Sequence, residues 1–211
     1  MNPQLICLFV FIIFVLFAVL LQKRYCILCD TSLVNPRPYS FARLQLLWWT
    51  FIVLAVFISI IMASGQIPTF NPSTLKLLGI GVLTTAAARI IDISDDEKFK
   101  TDVAAAATQA LQGNAAPIPT TLSRDQKSQG FWLDILSDKS GVSIHRLQAF
   151  IFNLVFGGWF IYKSIVSITA ASTKTLATNI DKIIPDIKDN NLILLGISAG
   201  TYVALKIGEN K

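Results

Sequence analysis

The chain has 211 residues, of which 53 % are hydrophobic and only 15 % charged, with a formal net charge of +5. Soluble domains carry about 25 % charged residues, so the composition excludes an ordinary soluble globule and points to a bilayer as solvent. The cations are spread over short segments, with no basic run interleaved with aromatics, which argues against a nucleic-acid surface.

About 20 apolar residues cross a hydrocarbon core roughly 30 Å thick, and five runs approach that length. The first, Leu5 to Leu21, carries no charge. Met1-Asn2-Pro3-Gln4 lacks a basic n-region and Gln22-Lys23-Arg24-Tyr25 lacks a small-x-small cleavage site, so residues 1–22 read as a retained anchor. A basic loop at 23–45 follows, containing Cys26-Ile27-Leu28-Cys29. The second span, Leu46 to Ser64, and the third, Leu75 to Ile91, form a first hairpin at 46–91.

Residues 92–146 are the one sizeable polar segment. It opens acidic, continues as a short Ala-rich helix over 101–111, and breaks at the linker Gln112 to Pro119. Gly130 to Asp138 reads as an amphipathic helix at headgroup depth, with Trp132 at the interface and Asp134 and Asp138 on the wet side; packing against the bundle is the other reading. Leu147 to Ala170 and Asn191 to Ile207 form a second hairpin at 147–207, followed by the tail 208–211. The third and fifth spans are diluted by Gly, Ala, Ser and Thr, and a soluble core helix is the alternative for either.

The chain also repeats itself. Ile67-Pro68-Thr69-Phe70-Asn71-Pro72-Ser73-Thr74-Leu75-Lys76-Leu77-Leu78-Gly79-Ile80 aligns without a gap on Ile184 to Ile197, sharing Ile, Pro, Leu, Leu, Leu, Gly and Ile. Upstream, Ser40-Phe41-Ala42-Arg43-Leu44-Gln45 matches Ser143-Ile144-His145-Arg146-Leu147-Gln148 as S-x-x-R-L-Q. The fold expected is therefore an all-α polytopic helical bundle of five transmembrane helices: one anchor plus two tandem parallel two-helix repeats. A pseudo-twofold axis along the membrane normal should relate 40–92 to 143–209.

Lys and Arg in the short loops set the orientation. Lys23, Arg24, Arg37 and Arg43, the cations of 92–146, and Lys206 and Lys211 fall on one side if there are five spans. The expected localisation is a bacterial inner membrane, with the N-terminus outside and 22–45, 92–146 and the C-terminus cytoplasmic.

Few residues offer chemistry. His145 is the only histidine, so no Ser-His-Asp set closes, and no intramembrane Asp or Glu stands ready as a base. Phosphate-loop and dinucleotide fingerprints are missing. Cys26 and Cys29 supply two ligands where a structural zinc site wants four. In a reducing cytoplasm they read as unpaired thiols, with a zinc site shared between subunits or a redox dithiol as alternatives. The expectation is a non-enzymatic protein with no cofactor and no metal of its own.

The clearest remaining signal is small residues. Gly196, Ser198, Gly200 and Thr201 in the fifth span, and Gly79, Gly81, Thr84 and Thr85 in the third, suit close helix packing; the same faces would alternatively line a narrow path. Arg43, Arg89, Arg146 and Lys206 mark the interface, with snorkelling expected for Arg89 and Lys206.

Tyr39 to Gln45 followed by Trp48-Trp49, Gly130 to Asp138, and Leu195 to Tyr202 resemble phrases of a family of uncharacterised bacterial multi-pass membrane proteins. The resemblance covers roughly residues 39–207 and implies a bacterial source and the span count; it transfers no catalytic residue. The function expected is a membrane scaffold or anchor subunit that sits in the lipid bilayer, forms a homo-oligomer and presents its cytoplasmic segment to a protein partner. The alternative is a small oligomeric channel or pore-forming effector.

Overall fold

A computed structural model of the chain describes residues 3–30, 32, 34–111, 127–138, 141–170 and 183–209. Among them are six helices: α1 (Pro3–Tyr25), α2 (Phe41–Ser64), α3 (Pro72–Leu111), α4 (Phe131–Leu136), α5 (Ile144–Ala170) and α6 (Asp189–Glu209). Five of these, all but α4, are long and apolar enough to cross a membrane. The exception to an all-α fold is a two-stranded antiparallel hairpin, β1 (Ser137–Asp138) with β2 (Gly141–Val142). The linker at 112–119 and most of the 171–190 loop lie outside the described residues.

Helix boundaries follow local chemistry. Gly65 ends α2 in the left-handed conformation (φ 71°), its N–H donating to the Ile61 carbonyl at 2.8 Å. Asn71 caps α3, its Oδ1 accepting the Thr74 N–H at 2.9 Å. The third span and the Ala-rich segment, expected as separate helices, are one helix of 40 residues. No Gly or Pro interrupts residues 82–111, and the junction Asp95-Asp96-Glu97-Lys98 is built of tolerable helix formers. Lys100 adds pairs to Asp96 at 2.9 Å and Glu97 at 3.1 Å on the solvent face.

The hairpins α2–α3 and α5–α6 pack side by side, α2 against α5 and α3 against α6, with α1 laid on α2. The core runs along that seam through Trp49, Ile52, Val56, Ile60, Phe160 and Leu195. α1 leaves Leu8, Phe9, Leu16 and Leu20 more than half exposed. An apolar surface that continuous would be untenable in water and suits lipid.

At one end of the bundle the two Ile-Pro loops meet. Asn71 Nδ2 donates to the Ile184 and Pro185 carbonyls at 3.2 and 3.1 Å. Ser73 Oγ donates to Asp186 at 2.7 Å and accepts the Ile187 N–H at 3.1 Å. An exposed Lys76–Asp189 pair at 2.8 Å adds little beyond orientation.

At the other end the two S-x-x-R-L-Q phrases are entered alike. The Ser40 N–H donates to the Leu28 carbonyl at 2.7 Å and the Ser143 N–H to the Leu136 carbonyl at 2.8 Å. Short antiparallel pairing precedes each: Cys29 with Tyr39, and β1 with β2. Arg43 then donates to the Ile27 carbonyl at 3.4 Å, and Arg146 to the Ser137 carbonyl at 2.7 Å. The segments so engaged also share sequence, Ile27-Leu28-Cys29-Asp30 against Ile135-Leu136-Ser137-Asp138. The loop carrying the cysteine pair thus matches the segment around α4 in sequence and in these contacts.

Candidate functional site at the charged end of the bundle

The end that gathers 26–40, the middle of α3, α4 and the C-terminal turn of α6 concentrates the buried polar groups. Lys206, expected to snorkel to the interface, is instead 6 % exposed. Its Nζ lies 2.8 Å from Asp92 Oδ1 and 3.2 Å from Asp30 Oδ2. One cation from α6 thereby ties α3 and the 26–40 loop into a single cluster. Burying charges is costly unless they are paired, and here buried Asp92 and half-buried Asp30 meet the same ammonium. Arg89, by contrast, is exposed, and the side chain of Glu209 lies outside the described ones.

Asp134 is a correction to the amphipathic reading of 130–138. It is buried, not on a wet face, because its carboxylate accepts the Tyr39 N–H at 3.1 Å, the Ser128 hydroxyl at 2.6 Å and the Gln129 N–H at 2.9 Å. Those donors repay its desolvation. Ile135 faces the core at 0 % exposed while Trp132 stays 61 % exposed. The helix therefore packs on the bundle and still presents its tryptophan outward. Arg146 lies 5.5 Å over the Tyr202 ring, a cation–π contact within the same cluster.

Deeper in the bundle, Asn153 of α5 is buried and wholly satisfied. Its Oδ1 accepts from Trp49 Nε1 at 2.6 Å, its Nδ2 donates to the Ala149 carbonyl at 2.7 Å, and its own carbonyl accepts from Trp48 Nε1 at 3.0 Å. The closest glycine approach is one turn on, at Gly157. A Cβ there would come within 2.5 Å of Trp48 Nε1 and 2.8 Å of Ile52 Cδ1. The glycines singled out for packing stand otherwise. At Gly79 and Gly200 a Cβ would meet nothing within 4 Å, at Gly196 only Ile80 Cδ1 at 3.9 Å, and at Gly81 Leu46 Cδ1 at 3.5 Å. The hydroxyls of Thr84 and Thr201 donate to their own helix, to the carbonyls of Ile80 at 2.7 Å and Ile197 at 2.9 Å, whereas that of Thr85 is shared between its own Gly81 carbonyl at 2.9 Å and the Ala42 carbonyl of α2 at 3.2 Å. Ser198 is half-buried on the same helix as Thr201.

Cys26 and Cys29 are joined as a disulfide, which corrects the expectation of unpaired thiols; the third cysteine, Cys7, is free and buried. The two cysteines are three residues apart with Cα atoms 5.2 Å from each other, within bridging reach. Cys26 itself takes a left-handed backbone (φ 53°), uncommon for a non-glycine residue. No group of three or more His, Cys, Asp or Glu capable of holding a metal occurs among the described residues.

Two apolar cavities adjoin this end. One, of about 540 Å³, lies between α1 and α2 and is walled by Phe11, Val15, Val19, Trp48, Phe51 and Phe131, with Gln22 at its rim. The other, of about 220 Å³, lies between α2, α4 and α5 and contains Gln45. Leu44, Trp48 and Phe131 line both. Compared with family models, curated proteins and solved structures, the chain matches none.

Sequence reasoning missed Gln22, Gln45, Asn153, Gly157, and the Asp30–Asp92–Lys206 cluster. A glutamine inside the S-x-x-R-L-Q phrase was visible. Its burial depends on α4 and α5 arriving from far along the chain.

Proposed function

We propose that the chain is a bacterial inner-membrane anchor that presents the distal half of α3 to a cytoplasmic protein partner. The observation that carries this is the continuity of α3. Forty residues make a helix of about 60 Å, and roughly 30 Å of that is enough to cross the hydrocarbon core. Beyond Asp92 no described side chain of α3 is buried. The Lys206–Asp92 contact clamps the rod where it leaves the bundle. The basic loops orient it toward the cytoplasm, and self-association in the membrane would array several such rods.

The matched phrases support a duplication in which 40–92 and 143–209 are copies about a pseudo-twofold axis along the membrane normal. The pairing of α2 with α5 and of α3 with α6 is what such an axis requires.

Cysteine accessibility tests the reading. In a Cys-free background, Ala105→Cys should resist an impermeant maleimide in intact cells and react after lysis, while Gln66→Cys should react in both. Reaction of position 105 in intact cells would reverse the orientation. Steady unitary currents from the purified protein in a planar bilayer, altered by Thr201→Trp or Ser198→Trp, would replace the anchor with the channel. A photo-cross-linker at Lys98 or Ala105 should trap a saturable adduct that one at Met62 does not.

A further inference from the structure

Cys26–Cys29 is the one disulfide among the described residues, and the anchor reading makes no use of it. The pair sits on a tight turn at the end of α1. The Cys26 N–H donates to the Gln22 carbonyl and the Cys29 N–H to the Cys26 carbonyl, each at 3.0 Å. These backbone bonds keep the two sulfurs near each other in either state, so a broken bond re-forms readily. Cys7, the third thiol, lies about 28 Å back along α1 at 1.5 Å per residue and takes no part.

The two sulfurs are not equivalent. Cys26 is partly exposed while Cys29 is 3 % exposed, so an incoming thiolate reaches Cys26 and Cys29 leaves. The departing sulfur has a donor in place. Gln22 Nε2 lies 3.3 Å from Cys29 Sγ and 3.7 Å from Cys26 Sγ, while its Oε1 accepts the Leu28 N–H at 2.8 Å and fixes the amide. A hydrogen bond to a thiolate favours the charged form, and a better leaving thiolate speeds exchange. A purely structural bridge needs neither an accessible sulfur nor a donor on the buried one.

The anchor reading, on which this step rests, places the loop in the cytoplasm. Lasting structural disulfides are rare there, and those that form are catalytic or redox-sensing. The next residue links the pair to the rest of the molecule. The Asp30 N–H donates to the Pro38 carbonyl at 2.8 Å, and its carboxylate meets Lys206 Nζ at 3.2 Å. The same ammonium lies 2.8 Å from Asp92. The disulfide turn therefore runs directly into the clamp at the root of α3.

We propose that Cys26–Cys29 is a thiol–disulfide exchange site for a dithiol, and that its state sets the hold of Asp30 on Lys206. The dithiol's first thiolate attacks Cys26 Sγ, the S–S bond breaks, and Cys29 departs as a thiolate that takes up a proton. The dithiol's second thiolate then attacks the dithiol's own sulfur in the mixed disulfide, and Cys26 is released and protonated. The pair gains two electrons and two protons, and the dithiol loses them and becomes a disulfide. Exchange in the reverse direction with such a disulfide restores the bond. Reduction removes the covalent brace from the turn and loosens Asp30 on Lys206.

The test uses the full chain, purified in detergent and equilibrated anaerobically in mixtures of reduced and oxidised glutathione, with thiols counted by maleimide gel shift. The pair should pass from disulfide to dithiol within the range of the mixtures, along one curve from either side, and Cys7→Ser should titrate like the parent. Gln22→Leu should keep its helicity by circular dichroism and be reduced by dithiothreitol about tenfold more slowly. Asp30→Asn should shift the equilibrium about fivefold toward the dithiol, because a tie made better in one state favours that state. In the parent, amide hydrogen exchange at residues 89–96 and 203–208 should quicken on reduction, a readout that needs no variant. A pair that stays oxidised in reduced glutathione alone is a structural bridge and overturns the proposal. So does a Gln22→Leu or Asp30→Asn chain that behaves as the parent, or amide exchange in those segments that ignores the redox state. The titration does not depend on orientation, so failure of the exchange site and failure of the anchor are separate results.

Discussion

Residues 26–44 and 134–147 enter their helices by the same route: Ile-Leu, a short antiparallel pairing, a serine whose N–H is spoken for, then an arginine on a nearby carbonyl. They close that frame differently. Where the first stretch has Cys26 and Cys29 in a disulfide, the second has Asp134 and Ser137, with the Asp134 carboxylate gripping three donors. The glutamines part ways too, since Gln45 is buried in a cavity and Gln148 is exposed. One frame can therefore be locked by a covalent bond that redox chemistry opens, or by hydrogen bonds that it does not. Of the two matched glutamines, Gln45 lies beside an apolar cavity and Gln148 does not.

The largest expected effect comes from cutting the tie between the halves. Lys206→Met leaves Asp92 beside Asp30 without the ammonium they share, and removing one partner of a buried ion pair costs about 3–5 kcal/mol. Unfolding in mixed detergent should show it, and Lys206→Met with Asp92→Leu should recover part of the loss. If the single variant is as stable as the parent, the Lys206 cluster does not hold the halves together.

Gly157→Val places an isopropyl group against a Trp48 ring already fixed by Asn153, and overpacking of that kind costs about 1–3 kcal/mol. The tryptophan fluorescence maximum should shift with it. Asp134→Ala strands the Tyr39 and Gln129 N–H groups, at about 1–3 kcal/mol. Because Asp134 grips Tyr39, the loss should also quicken thiol exchange at Cys26–Cys29. An unchanged exchange rate would mean that the two frames are mechanically independent. The smallest effect belongs to Gly200→Leu. With nothing within 4 Å of that position, single-chain stability should move by no more than about 0.5 kcal/mol. A large loss in dilute detergent would mean that a close neighbour sits where the chain alone presents open space.

The spans were legible because about 20 apolar residues in a row have few other uses, and helices occupy each of the five runs. The limits of α3 were less so. Its two halves differ in polarity, and a change of solvent along a helix looks in sequence like a change of element. The burial of Asp134 was hidden because one turn of helix has too few residues to show which side is wet; Tyr39, 95 residues away, decides it. Gly196 and Gly200 drew attention through their spacing, whereas Gly157, within Phe156-Gly157-Gly158-Trp159, has no such pattern. What marks Gly157 is the bulk of Trp48 across the seam, which local sequence does not carry. The pairing of Lys206 with Asp92 rather than with its own chain neighbours is of the same kind, set by the register of α6 on α3.

The unbroken course of α3 also makes it a lever. With the fulcrum at Asp92 and Lys206, the arm to Leu111 is about 28 Å at 1.5 Å per residue. A tilt of about 10° in the membrane half would swing the tip by roughly 5 Å, one helical pitch, without changing any dihedral angle within the helix. Lipid thickness, occupancy of a neighbouring groove or contact with a second copy would all reach the far end as displacement.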